Sequence, residues 1–147
     1  MPALETASAQ YLTFALGGEE YGVDILRVQE IRGFAPITPI PNTPPHVMGV
    51  MNLRGAIIPV VDLRRTLGMP PTEYGPFTVI VVVTVGTCAM GVIVDAVSDV
   101  LDIARADVQP TPDFGTQVDA RFVHGLARTA GKLVILLDIE RVLGEDA

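Results

Sequence analysis

Gly49-Val-Met-Asn-Leu-Arg-Gly55-Ala-Ile-Ile-Pro-Val-Val-Asp62-Leu-Arg-Arg-Thr-Leu-Gly68 returns without a gap as Gly125-Leu-Ala-Arg-Thr-Ala-Gly131-Lys-Leu-Val-Ile-Leu-Leu-Asp138-Ile-Glu-Arg-Val-Leu-Gly144. Six positions are identical: the pairs Gly49/Gly125, Gly55/Gly131, Asp62/Asp138, Arg65/Arg141, Leu67/Leu143 and Gly68/Gly144. Each copy reads as a hairpin turning at its middle glycine, then an Asp-capped helical turn or two closed by glycine. The match extends upstream. Tyr21-Gly22-Val23 answers Met90-Gly91-Val92, Val28-Gln29-Glu30-Ile31 answers Val97-Ser98-Asp99-Val100, and Ile37-Thr-Pro-Ile-Pro-Asn42 answers Val108-Gln-Pro-Thr-Pro-Asp113. The chain therefore divides into two halves of one design, roughly residues 10–68 and 76–144. Two copies are too few for a solenoid, so a paired, pseudo-symmetric architecture is expected.

Within each half the pattern is one of short strands. Residues 11–16 alternate and run into Gly17-Gly18, a hairpin signal. Residues 21–34 hold one or two strands. Asn42 or Thr43, with Pro44 at the first helical position, predicts a short helix ended by Gly49. A sheet of about five strands from some sixty residues protects its edges best by curling into a small barrel. The predicted fold class is all-β.

Composition narrows the function. In 147 residues, 49% apolar and 18% charged, there is material for a core and little reason for disorder. The net charge is −7, and Lys132 is the only lysine, which disfavours nucleic acid and anionic membrane surfaces as partners. Residues 75–94 carry no charge, long enough to span a bilayer. They are β-branched and cut by Gly86 and Gly91, so two buried strands and a turn explain them better. The start lacks a signal-peptide pattern, and the single Cys88 suits a reducing compartment, so the chain reads as cytoplasmic.

Little in the sequence is catalytic. Cys88 with His46 or His124 could serve as thiol and base, but Cys88 lies in a glycine turn with no base nearby in sequence. The two histidines and the cysteine lack metal-ligand spacing, and Gly86-x-x-x-x-Gly91 is followed by Val92-Ile93 where a phosphate loop requires Lys and Ser/Thr. Asp95, Asp99 and Asp102 read as an acidic, solvated face. No catalytic residue, metal site or cofactor is expected. The repeat supplies a better filter. Asp62/Asp138 and Arg65/Arg141 occur in both copies and belong to folding. Arg54 faces Ala130 in the repeat, so the fold can be built without it. Glu30 has an acidic counterpart in Asp99.

The blocks Glu20-Tyr-Gly-Val-Asp24-Ile-Leu-Arg-Val-Gln-Glu30-Ile, Asn42-Thr-Pro44, Gly49-Val-Met-Asn-Leu-Arg-Gly55, Val61-Asp-Leu-Arg64, Val94-Asp-Ala-Val-Ser-Asp-Val100 and Leu136-Leu-Asp-Ile-Glu140 together resemble the CheW family of chemotaxis coupling proteins. The resemblance covers almost the whole chain from Tyr11. It implies two SH3-like five-stranded barrels and a non-catalytic adaptor, recruited to membrane-bound receptor arrays. The implied partners are the cytoplasmic tips of methyl-accepting receptors and the regulatory domain of a histidine kinase. It places Val28, Glu30, Ile31, Gly49 and Arg54 at a partner surface, and a groove between the barrels brings in Val97 and Val100. Glu30 and Arg54 are expected to pair across neighbouring strands. The alternatives are a detached regulatory domain of such a kinase and, remotely, a small thiol or acid/base enzyme.

Overall fold

The computed structural model describes residues 8–70, 72–109, 122–129 and 131–144. Residues 110–113 and Ala130, both used in the repeat comparison, lie outside them. The described chain runs β1 (Ser8–Leu16), β2 (Glu19–Asp24), a 3-10 turn (Ile25–Arg27), β3 (Val28–Gly33), β4 (Val47–Leu53), β5 (Ala56–Asp62) and helix α1 (Leu63–Thr66). It continues with β6 (Val79–Val85), β7 (Cys88–Val94), β8 (Ala96–Ala104), a second 3-10 turn (Arg105–Asp107), β9 (Val108–Gln109), β10 (Val123–Thr129), β11 (Lys132–Leu137) and helix α2 (Ile139–Gly144). The all-β class and the short capping helices are as predicted. The helix expected after Asn42 is absent. Asn42 instead takes a left-handed conformation (φ 64°), and a single bond from Val47 N–H to the Pro44 carbonyl makes a turn into β4.

The strands form two sheets, ordered β8-β1-β2-β11-β10-β9 and β3-β6-β7-β5-β4. If β6, β7, β8, β10 and β11 are the second copies of β1 to β5, both sheets have the same order, with β9 a two-residue addition to one. The sheets cut across the two halves, however. Each takes the first two strands of one half and the last three of the other. The chain crosses between sheets at Ile25–Arg27 and again at Asp95. The exchange is sealed by two parallel pairs, β2 with β11 and β5 with β7. Strands parallel to each other cannot be joined by a tight turn, so such pairs join segments distant in the chain.

Three apolar clusters follow from this arrangement. Met51, Leu53, Ile58, Val60, Ile80, Val82 and Ile93 pack within the sheet containing β6. Tyr11, Ile103, Ala127, Val134 and Leu136 do so in the other. Between the sheets lies a larger shared core that includes Phe14, Tyr21, Val61, Val81, Val83, Val92, Ile135 and Leu137. Successive residues of β6 thus point into two different cores, which is why its sequence is continuously apolar rather than alternating. The charge-free run over 75–94 is this strand and β7.

The matched glycines have a packing reason. Gly49 has φ +141°, and a Cβ there would run into the Thr38 carbonyl oxygen. Thr38 and Val50 exchange both backbone hydrogen bonds at 2.9 Å, so the segment before β4 lies directly on it. Gly125 is crossed in the same way by β9, with Val108 Cγ1 and Gln109 O at 2.7 and 2.9 Å from a built Cβ. Register shifts occur at Val28/Glu30 on β3, Val47/Gly49 on β4, Thr13/Phe14 where β1 meets β8, and Val123/Gly125 on β10. Bulges of this kind twist a strand and discourage edge-to-edge pairing.

Candidate functional site

The β4–β5 hairpin closes with Arg54-Gly55, at φ 50° and 89°, the positive pair of a type I′ turn. Asn, Asp or Gly normally occupies the first of these positions, because other side chains crowd the backbone there. Arg54 is held in it from both sides. Asn52 Oδ1 accepts the Gly55 N–H at 2.9 Å, and Arg54 Nη1 donates to both carboxylate oxygens of Glu30 at 2.8 Å. The arginine side chain is 68% exposed and the glutamate 22%. The expected ion pair is therefore present, but it does not join neighbouring strands. β3 and β4 are opposite edges of their sheet, and the sheet curls enough to bring them within one ion pair. Arg32 adds a weaker contact to Glu30 at 3.9 Å.

The other candidates fall on two matched edges. Val28 and Ile31 lie on β3; Val97 and Val100 are their repeat counterparts on β8, the edge of the other sheet. Val28 and Val97 are half-buried against the shared core, while Ile31 and Val100 are 45% and 44% exposed. Each edge so offers an anchored valine and an outward apolar residue. Gly49 is buried under Thr38 and offers no side chain; its observed contacts are those of the fold.

Arg64 lies in no motif that gives it a role in the sequence. It lies at the inter-sheet crossing, where Nε and Nη2 hold the two oxygens of Asp95 at 2.8 and 2.6 Å, and Nη1 reaches the Pro70 carbonyl at 3.2 Å. Asp95 also accepts the Gly17 N–H of the β1–β2 turn at 3.0 Å. These bonds, that from Arg64 foremost, hold its carboxyl below the usual range. The other crossing is clamped by Arg27 and Glu140 at 2.9 Å, with Gly86 N–H on the Glu140 carboxylate at 3.3 Å. A signal existed in the repeat: Arg64 faces Glu140, a charge reversal at a matched position. The capping aspartates behave as expected. Asp62 accepts the Arg64 N–H at 3.0 Å and Asp138 that of Arg141 at 3.3 Å, each with an i,i+3 arginine contact.

Cys88 is the exposed first residue of β7. Among the described residues no group of His, Cys, Asp and Glu could hold a metal ion, and no helix is long and apolar enough to cross a membrane. Asp95 is engaged by Arg64, and Asp99 accepts the N–H of Val100 at 2.8 Å.

Residues 10–147 match the family model of the CheW-like domain. A chemotaxis protein CheW of Klebsiella aerogenes is 42% identical, over 97% of this chain and 86% of its own. That of Rhizobium meliloti is 39% identical, over 95% and 90%. The crystal structure of the scaffolding protein TtCheW from Thermoanaerobacter tengcongensis superposes with a TM-score of 0.85 at 35% identity, covering 92% of this chain and 88% of that one.

Proposed function

This chain belongs to the CheW-like family, and from that premise we propose that it is a non-catalytic chemotaxis adaptor coupling methyl-accepting receptors to a histidine kinase. Its partner surface includes Val28, Glu30, Ile31 and Arg54 on one sheet, with Val97 and Val100 on the other; Gly49 shapes that surface from beneath. The adaptor works in the cytoplasm and is recruited to receptor arrays.

The observation that carries the reading is Arg54. A bulky cation is kept in a left-handed turn position where asparagine would fit with less strain, mostly in solvent, with its head fixed by a carboxylate on the opposite edge strand. Strain retained at an exposed, over-determined side chain points to recognition. The edge strand that carries Glu30 also carries exposed Ile31 and half-buried Val28, so it combines apolar area with a charged anchor, the usual make-up of an interface hot spot. A charge desolvated at an interface and robbed of its partner costs about 2–5 kcal/mol of binding.

The test is reconstitution of the purified chain with receptor cytoplasmic tips and the kinase regulatory domain. Binding to both, and increased receptor control of kinase activity, are expected. Failure to bind either partner, or ATP hydrolysis by the chain alone, contradicts the proposal.

A further inference from the structure

The two sheets are finished differently at matched ends. In the sheet containing β6, Tyr74 comes in from the segment before that strand. Its ring lies against Phe34, centroids 4.8 Å apart, and, like Ile37 and Met48, it packs on the apolar cluster of that sheet. Its hydroxyl donates to Asp62 Oδ2 at 2.9 Å. In the other sheet the repeat puts Ile103 for Phe34, Val108 for Ile37, His124 for Met48 and Asp138 for Asp62. There Ile103, Val108, His124 and Tyr11 line a cavity of about 550 Å³. An adjoining cleft of about 240 Å³ shares Tyr11 and His124 with it and has Asp138 in its wall. Apolar cavities of roughly 150 Å³ already admit a benzene ring.

A second observation is independent of the repeat. Tyr11 is 7% exposed, yet its hydroxyl has no hydrogen-bond partner among the described residues. Buried tyrosine hydroxyls normally find one. Burial, and then the charge of Asp24, push its ionisation above the ordinary tyrosine value, so the group is a neutral donor and acceptor. Asp138 is 38% exposed where Asp62 is 3%. Residues 1–7, which precede β1 as the Tyr74 segment precedes β6, contain no aromatic residue.

We propose that this mouth is a docking site for a tyrosine side chain of a partner protein, its ring against Ile103 and Val108 and its hydroxyl toward Tyr11, His124 and Asp138. The chemistry is that of the Tyr74 site, supplied in trans. The site uses none of the β3 and β8 residues assigned above, so it stands or falls separately from the adaptor surface.

The experiment titrates N-acetyl-tyrosinamide into the full chain and follows the Ile103 and Val108 methyl groups by NMR. Saturable shifts are expected there. N-acetyl-phenylalaninamide should bind roughly fivefold more weakly, the worth of one ordinary hydrogen bond. In Tyr11→Phe that preference should shrink, a readout that loosened packing alone does not give. The acetylated peptide Thr-Glu-Tyr-Gly-Pro, copied from residues 72–76, should bind at least as tightly as the single residue. Absence of saturable shifts overturns the proposal. So does binding of the amide but not the peptide, which would make the cavity a small-molecule site. So does binding seen only in Phe114→Ala, which would assign the cavity to the chain's own residue.

Discussion

At one crossing between the sheets, an arginine on helix α1 grips an aspartate on the connecting chain; at the other, a glutamate on helix α2 grips an arginine. The two clamps are matched in place and reversed in charge, and each also takes an N–H from the neighbouring hairpin turn, Gly17 in one and Gly86 in the other. They differ in environment. Arg64 and Asp95 are 16% and 29% exposed, against 42% and 41% for Arg27 and Glu140. What the fold requires at these positions is an ion pair, whichever way round. A third pair, Glu30–Arg54, has no such matched copy: the counterpart Asp99 turns its carboxylate onto the N–H of Val100. Of the three ion pairs, the one without a matched copy is the one proposed above for recognition.

The largest losses are expected at the matched glycines. Gly49→Ala drives a methyl into the Thr38 carbonyl at a positive φ, and a loss of about 3–4 kcal/mol or failure to fold is expected. Gly125→Ala, which lacks the positive φ, should cost less. Denaturant unfolding of both variants checks the order. Next come the clamps. Arg64→Ala strips a bidentate pair that is mostly shielded from water and should cost about 2 kcal/mol, whereas Arg27→Ala, at a half-exposed pair, should cost under about 1 kcal/mol. Equal losses would show that the two crossings are equivalent after all.

Acid sharpens the same contrast. Asp95 has its carboxyl lowered in the fold, first by the Arg64 hydrogen bond. Its contribution is therefore complete above the ordinary value of about 3.9 and disappears as pH falls through the lower folded value. Asp95→Asn should be less stable than the parent at neutral pH and lose less on acidification. A parallel acid limb in the two proteins, measured by unfolding at a series of pH values, would contradict this. The smallest effect belongs to Arg54→Asn. Relief of the left-handed strain offsets loss of an exposed ion pair, and stability should change by less than about 0.5 kcal/mol.

Much of this architecture was legible in the sequence, for definite reasons. The hairpins at Gly17-Gly18 and Gly55, the Asp62 and Asp138 caps, and the buried strands of residues 79–94 are local features, written in glycine placement, capping chemistry and apolar runs. The exchange of strands between halves was not legible. A repeat fixes which elements recur, but self-paired and exchanged arrangements satisfy the same local pattern. For the same reason the Glu30–Arg54 pair was foreseen while its geometry, across the two edges of a curled sheet, was not. The missing helix after Asn42 is a competition won by tertiary structure: Val47 and Gly49, which the helix would have used, are drawn into β4 and paired with Val61 and Val60 of β5. The role of Arg64 is not local, because its partner, Asp95, comes from the other half.

Stability and recognition are expected to reside in different arginines of one half. Arg54→Ala and Arg65→Ala decide it when thermal melting is measured beside assembly with receptor tips and kinase regulatory domain. The prediction is that Arg54→Ala melts nearly like the parent and assembles at least about thirtyfold more weakly. Arg65→Ala, which removes a contact to the buried Asp62, should melt somewhat lower and assemble normally. An Arg54→Ala protein that assembles like the parent would contradict the account and leave Arg54 a solvated hairpin residue.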